Sequence, residues 1–281
     1  MANLRKIRTR IKSVQSTQQI TKSMKMVAAS KLRRTQAAFG DLRAFADKSG
    51  EILARVSAGA EDNPYLTTHE ESGKVCYVLI VGNRGLCGTY NTALLRYLEE
   101  LAAKEEREGF LVVAGRWGKD MIQTLGLPVR RSFEISDTPG SAEARELSAF
   151  LRELYRDGEA DEIVLVYEQF RSVLSQKPGS RTLLPLQRDE SAQAAQDVIF
   201  EPDRKALLDT LVDMYIDNSV HAALLEARTG EHSSRMTAMT SASDNTEELI
   251  AELTLELNHA RQSAITTEIS EIVGGAEALK N

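Results

Sequence analysis

MANLRKIRTRIKSVQSTQQITKSMKMVAASKL, residues 1–32, carries apolar side chains at Leu4, Ile7, Ile11, Val14, Ile20, Met24 and Val27, with Thr17 filling the one gap. Steps of three and four residues put these positions on one face of a helix. Arg5, Arg8, Lys12, Lys22 and Lys25 lie largely off the stripe, which makes it a narrow coiled-coil seam rather than the broad face of a globular helix. Continued through Leu32, Phe39, Leu42 and Phe45 toward Ile52, the helix reaches about 55 residues, or roughly 80 Å at 1.5 Å per residue. Gly40 and Gly50 are its weak points.

The far end of the chain repeats the pattern. Leu208, Leu211, Tyr215, Ala222 and Leu225, then Met236 and Met239, then Leu249, Leu253, Leu257, Ala260, Ala264, Ile269 and Ile272 follow helical spacing. Asp203 after Pro202 is suited to cap the start, Gly274-Gly275 to stop the end, and Gly230 is the expected irregularity. All six prolines of the 281 residues fall between Pro64 and Pro202, so both ends are free of the strongest helix breaker. These features predict an antiparallel coiled coil of the terminal segments, with limits at 1–60 and 203–281, around a separate middle domain at 64–202.

Charge divides the chain the same way. Residues 1–40 hold ten Lys/Arg and no acid, whereas 203–281 hold 14 Asp/Glu against six Lys/Arg, within a total of −6. The two ends are therefore complementary and expected to lie side by side. A basic start also fits a nucleic-acid arm or a transit peptide. Residues 1–38 lack an aromatic for base stacking, and no apolar core of a secretory signal follows the basic residues. No run approaches 18 apolar residues, so no bilayer span is expected. Cys76 and Cys87 are the only cysteines and form no CxxC pair, which fits a reducing compartment. His69, His221, His232 and His259 show no metal-ligand spacing and read as surface or packed histidines.

The middle alternates. Apolar runs at 75–81, 110–114 and 163–167 predict buried strands, and 129–135 and 181–187 predict weaker strands nearer the edge. Helical stretches at 91–106, 119–125 and 142–156 fall between them. The order implies an α/β domain of Rossmann-like type with a mostly parallel sheet. The first strand runs into Gly82-Asn83-Arg84-Gly85-Leu86-Cys87-Gly88, a glycine-rich turn before a helix, where a Rossmann fold holds dinucleotide phosphates. The spacing matches neither GxGxxG nor GxxxxGK[ST], so a tight structural turn or partner surface competes with a nucleotide-binding enzyme, the alternative function. Cys87 has no histidine or paired cysteine beside it in sequence to activate a catalytic thiol. Met24, Met26, Met236 and Met239 read as core fillers. Asn258, Arg261 and Gln262, placed within the late seam, offer directional hydrogen bonds to a protein partner, against a plain solvated face.

Residues 20–31 (ITKSMKMVAASK) and 265–276 (ITTEISEIVGGA) resemble the two terminal signatures of the gamma subunit of F-type ATP synthase. Arg84-Gly85-Leu86-Cys87-Gly88 with Asn91, Arg235-Met236 with Ala238-Met239, Asp244-Asn245 and Ala260-Arg261-Gln262 are similar to that family in the same order, so the resemblance covers the whole chain.

The resemblance implies a central rotor shaft coupling proton flow through a membrane ring of c subunits to ATP synthesis or hydrolysis. Its terminal helices would turn inside a hexamer of three alpha and three beta subunits. The Rossmann-like domain would sit against the epsilon subunit and the c-ring. It implies one copy per complex, no catalytic residue, cofactor or metal of its own, no nucleic acid, and a peripheral position on the cytoplasmic face of a bacterial membrane. Carried over by position, Met24 and Lys25 fall near the beta contact. Arg261 and Gln262 fall where the ring is hydrogen-bonded, and Thr266, Glu268, Ile269 and Ile272 lie on the shaft end inside its sleeve. Arg84, Gly85 and Gly88 mark the turn of the rotor domain. Leu257, at a commonly aromatic position, and His259, at one commonly Lys or Arg, depart from the family. The cysteine-bearing regulatory insertion of the chloroplast form is absent.

Overall fold

Eleven elements follow one another along the chain of this computed structural model, which describes residues 2–57, 63–66, 73–173, 175–186 and 203–278. They are α1 (Ala2–Ser57), a 3-10 turn (Pro64–Leu66), β1 (Lys74–Ile80), α2 (Tyr90–Ala102), β2 (Glu108–Ala114), α3 (Lys119–Gln123) and β3 (Val129–Phe133), then α4 (Ser141–Arg156), β4 (Glu162–Ser172), β5 (Ser175–Leu184) and α5 (Arg204–Ala278). His69, Gln187, Pro202 and the expected domain limits at 60 and 202 lie outside the described residues. Two compact units emerge, Met1–Val27 with Met236–Asn281, and Ala28–Arg235. The boundary passes through both long helices, so the second unit takes in the second half of α1 and the first part of α5, up to Arg235. No described helix is long and apolar enough to cross a membrane.

The first unit is an antiparallel helix pair. Along α1 the buried or half-buried positions repeat with a strict heptad, Leu4, Ile7, Ile11, Val14, Gln18, Thr21 and Lys25. The sequence reading drifts off this register after Val14. Thr17, Ile20 and Val27 are exposed, Ile20 at 60% and Val27 at 54%. The physical reason is that polar residues occupy the true seam, so following the apolar residues leads onto another face. In α5 the seam runs Met239, Ser243, Thr246, Ile250, Leu253, Leu257, Ala260 and Ala264, again in steps of four and three. Asn258, Arg261 and Gln262 are exposed and lie outside it, which corrects their placement within the seam. Ile269 and Ile272 are likewise exposed.

Charge complementarity does not become cross-helix pairing. Among the described residues no ion pair joins α1 to α5, and the one long-range pair of the basic segment, from Lys31, runs to Asp137 after β3. The helix pair rests on its seam. α5 also runs through Gly230 without interruption and past Gly274-Gly275 to Ala278, and α1 runs through Gly40 and Gly50. One or two glycines cost about 1 kcal/mol each relative to alanine, too little to stop a helix held by tertiary contacts. Asp203 caps α5 as expected, its Oδ1 accepting the Ala206 N–H at 2.9 Å. Asp203→Ala should lower stability by about 1 kcal/mol in urea unfolding, the ordinary cost of an N-cap.

In the second unit the sheet order is β3-β2-β1-β4-β5. β1, β2, β3 and β4 are parallel and β5 is antiparallel to β4, with β3 and β5 at the edges. Alternation divides β1 between two cores. Cys76, Val78 and Ile80 pack with α4, the lower part of α1 and residues 208–227 of α5, whereas Val75, Tyr77, Leu79 and Val81 pack with α2 and the α3 region. The β4–β5 hairpin exceeds the reading at 163–167 and 181–187, since pairing continues to Ser172 opposite Ser175. Pro178 sits in β5, where an edge strand tolerates the missing donor. The chain leaves β1 toward β2 and β3 on one side and returns to β4 on the other, so the β1–β4 carboxyl ends form the topological switch point.

Candidate functional site: partner surfaces and a buried ionic cluster

The last half-buried seam position on α5 is Ala264. Every residue from Ile265 to Val273 is exposed. Ile265, Ile269 and Ile272 recur at helical spacing with Val273 beside them, exposed at 47, 56, 71 and 61%. An apolar stripe of this kind is unusual on a helix face left to solvent. Thr266 Oγ1 bonds back to the Gln262 carbonyl at 3.0 Å, so it serves its own helix, while Arg261, Gln262 and Glu268 present polar groups beside the stripe.

Met24 and Lys25 are half-buried, Lys25 on the heptad and Met24 beside it. Along α1, twenty residues separate Met24 from Leu4, roughly 30 Å at 1.5 Å per residue. The expected contact residues lie on two helices, Met24 and Lys25 on α1 and Arg261 to Ile272 on α5. Around Met24 the outward apolar residues are Ile20, Met26 and Val27. The stripe read from residues 20–27 exists, but it faces away from the helix pair.

The turn after β1 has a different role. Arg84, Gly85 and Gly88 are exposed, and Leu86 stands 64% exposed with a φ of 60°, an uncommon conformation for a branched residue. The backbone behind them grips α5, because the carbonyls of Arg84 and Gly85 accept from the Arg235 guanidinium at 3.0 and 3.3 Å.

Arg235 belongs to a buried cluster that sequence reading missed. Arg228 is 1% exposed and uses all five of its N–H donors. Nε reaches Ser136 O, Nη1 reaches Val81 O and Glu231 Oε2, and Nη2 reaches Asn83 Oδ1 and Ile135 O, at 2.6–3.2 Å. Glu231, also 1% exposed, accepts from Arg235 at 2.7 Å as well. Burial alone would raise its carboxyl pKa, but the two guanidinium groups outweigh that and hold it below the ordinary value. His232 faces the Asp137 carbonyl through Nε2 and Arg235 through Nδ1, which fixes the neutral Nε2–H tautomer; burial lowers its pKa in agreement. The Lys31 hydrogen bond brings the Asp137 carboxyl down to about 2 and ties α1 to the same cluster. The available signal was context: 222–227 is apolar on nearly every side, so ionic residues one turn later had to be buried and paired.

The cluster fills the crevice where an open α/β sheet would bind a ligand. A Cβ on Gly82 would lie 3.1 Å from the Glu231 carboxyl and from Asn91 Oδ1, so the glycine-rich turn closes around the protein's own carboxylate. The Gly82 N–H donates to Asn91 at 2.8 Å. This occupancy leaves the nucleotide-binding alternative without its crevice. Cys87 is buried, and burial raises its thiol pKa, the opposite of an activated nucleophile. Among the described residues no group of His, Cys, Asp and Glu could hold a metal ion.

The family described as ATP synthase matches residues 3–279. The chain is 44% identical to the ATP synthase gamma chain of Moorella thermoacetica, with all of both chains covered. It is 42% identical to that of Heliobacterium modesticaldum, covering 99% of this chain and 100% of the relative. Among solved structures, a chain of the Euglena gracilis mitochondrial ATP synthase (OSCP/F1/c-ring, rotational state 3) aligns with a TM-score of 0.70 at 20% identity, covering 99% of this chain and 95% of that one. A chain of the Tetrahymena thermophila mitochondrial ATP synthase central stalk and c-ring aligns with a TM-score of 0.61 at 23% identity, covering 80% and 99%.

Proposed function

The chain belongs to the ATP synthase gamma chain family, and from that premise we propose that it is the central rotor shaft of a bacterial F-type ATP synthase. It couples proton flow through a c-ring to ATP synthesis or hydrolysis on the beta subunits. The first unit turns inside the alpha–beta hexamer, and the second meets epsilon and the c-ring. The chain performs no chemistry itself and works as a peripheral subunit at the cytoplasmic face of the membrane.

One observation carries this reading, the far end of α5, where Ile265, Ile269, Ile272 and Val273 are all exposed on one helix. A stripe of aliphatic groups makes non-directional contacts, so a surrounding sleeve can hold it at many rotational angles. Directional bonds from Arg261, Gln262 and Glu268 could then favour particular angles. Torque has to pass from this end to the sheet, and the buried cluster that Arg228 and Arg235 build around the turn supplies a grip on α5 within the second unit.

The test uses the full chain with an alpha–beta hexamer. The wild type should associate saturably and restore rotary coupling. Ile269→Asp with Ile272→Asp should weaken association by at least roughly 100-fold, since each isoleucine burial is worth about 1.5–3 kcal/mol. Urea stability should stay within about 0.5 kcal/mol, because both sites are exposed. Equal association of variant and wild type would remove the bare helix end from the interface.

A further inference from the structure

Three carboxylates gather where α5 crosses the carboxyl end of β4, and only one of them lacks compensation. Glu231 is held between Arg228 and Arg235. Glu226 accepts the Phe170 N–H at 3.0 Å and feels Arg43 of α1 and Arg181 of β5. Glu168, on β4, is 6% exposed, and its Oε2 has no hydrogen-bond partner. It lies against the helix backbone: a Cβ on Gly230 would stand 3.6 Å from the Glu168 carbonyl and 3.8 Å from its Cβ, with the Tyr90 ring at 3.4 Å.

The groups packed around Glu168 have other duties. Tyr90 of α2 donates its hydroxyl to Ala227 O at 2.9 Å. The Arg228 donors are all used, and Arg235 serves Glu231 and the turn. On β5, Pro178 stands opposite Glu168 and carries no charge. A carboxylate here would be a buried charge with no cation to meet it, which proteins avoid by keeping the proton.

We propose that Glu168 holds a proton in the folded protein near neutral pH, and that its ionisation loosens the packing of α5 on the end of β4, making this joint pH-sensitive. Burial alone raises its pKa from 4.5 to about 7. The sign follows from linkage. Between 4.5 and about 7 the folded state binds more protons at this site than the unfolded one, so stability from Glu168 falls as pH rises through that window and stays low above it. Each pH unit there multiplies the unfolding constant by up to about tenfold. The inference needs only the fold of the second unit and stands whether or not the rotor assignment holds.

Glu168→Gln keeps the shape and removes the titration. Urea unfolding of the full chain from pH 5 to 7.5 should show the wild-type unfolding constant rising relative to the variant by roughly 50-fold, within the ceiling of about 300-fold set by that pKa shift. Hydrogen exchange near Gly230 and Phe170, corrected for intrinsic rates, should accelerate above pH 7 in the wild type only. Parallel pH profiles for the two chains would overturn the proposal. Should the variant fail to fold, infrared spectra of the wild type decide: a protonated-carboxyl band at pH 6, lost with a midpoint near 7, is expected, and absence of the band at pH 6 overturns it. Persistence of the band in a folded Glu168→Gln chain assigns the proton elsewhere and overturns it as well.

Discussion

Arg228→Met should destabilise the full chain by about 3–5 kcal/mol, measured as the shift of its urea unfolding curve at neutral pH. Removing one member of a buried ion pair leaves the other charge without its partner in a medium that penalises it, and that is the usual magnitude. Here more is lost than a pair. The carbonyls of Val81, Ile135 and Ser136, from the ends of two strands, lose a shared donor, and Glu231 is left with Arg235 alone. Against a total stability of 5–15 kcal/mol typical of a domain, this is a large fraction. Arg228→Lys should not rescue, because an ammonium cannot reproduce five donors in a planar fork. Arg228→Met with Glu231→Leu should cost less than the two single changes summed, since it removes the stranded charge along with its partner. A single-variant loss below about 1 kcal/mol would mean that the cluster is not holding α5 to the sheet.

Much of the architecture was legible because backbone periodicity and apolar patterning agree along most of the chain. The two long helices, the strand positions and the edge placement of β3 and β5 follow from spacing alone. The differences have a common cause: apolar spacing alone does not separate an interior face from an exposed one. Ile20, Val27, Ile269 and Ile272 are apolar yet exposed, while Gln18, Thr21, Ser243 and Thr246 occupy seam positions where short or flexible polar side chains suffice. A sequence does not say which of two apolar stripes faces its own partner helix. The cluster at Arg228 was hidden for the opposite reason. Charged residues three and four apart on a helix look like a solvated face, and only the neighbouring all-apolar turn and the close approach at Gly82 place them inside. The hairpin from Glu168 to Ser172 was missed because its pairing is made by main-chain groups, to which polar side chains are indifferent.

Gly115→Ala should be at least as damaging as any single change in the cluster, at about 4 kcal/mol or more in the same assay, through a mechanism that begins one layer beneath it. Gly115 has φ +131°, and a Cβ there would lie 2.3 Å from the Val81 carbonyl oxygen and 2.9 Å from Val81 Cγ2. The backbone conformation alone is worth about 1–3 kcal/mol of strain for a residue with a side chain, and the contact with a main-chain oxygen cannot be relieved by a rotamer change. Relief requires β1 to move away from β2 at its carboxyl end. There Val81 N–H donates to Ala114 O at 3.0 Å and Gly115 N–H donates to Phe133 O at 2.9 Å, so the shift also breaks the closing bonds of two strand pairs. The same Val81 carbonyl accepts Arg228 Nη1 at 3.1 Å. Displacing it removes part of what Arg228→Met removes, so the double variant should fall short of the summed losses by at least about 1 kcal/mol. Gly118→Ala is the control: its φ of +71° is also left-handed, but the nearest heavy atom to its Cβ is 3.8 Å away, so only the conformational cost of about 1 kcal/mol is expected. If Gly115→Ala and Arg228→Met were additive to within about 0.5 kcal/mol, the end of β1 and the grip on α5 would be separate structures. A shortfall shows that the strand terminus positions the acceptor that holds the helix.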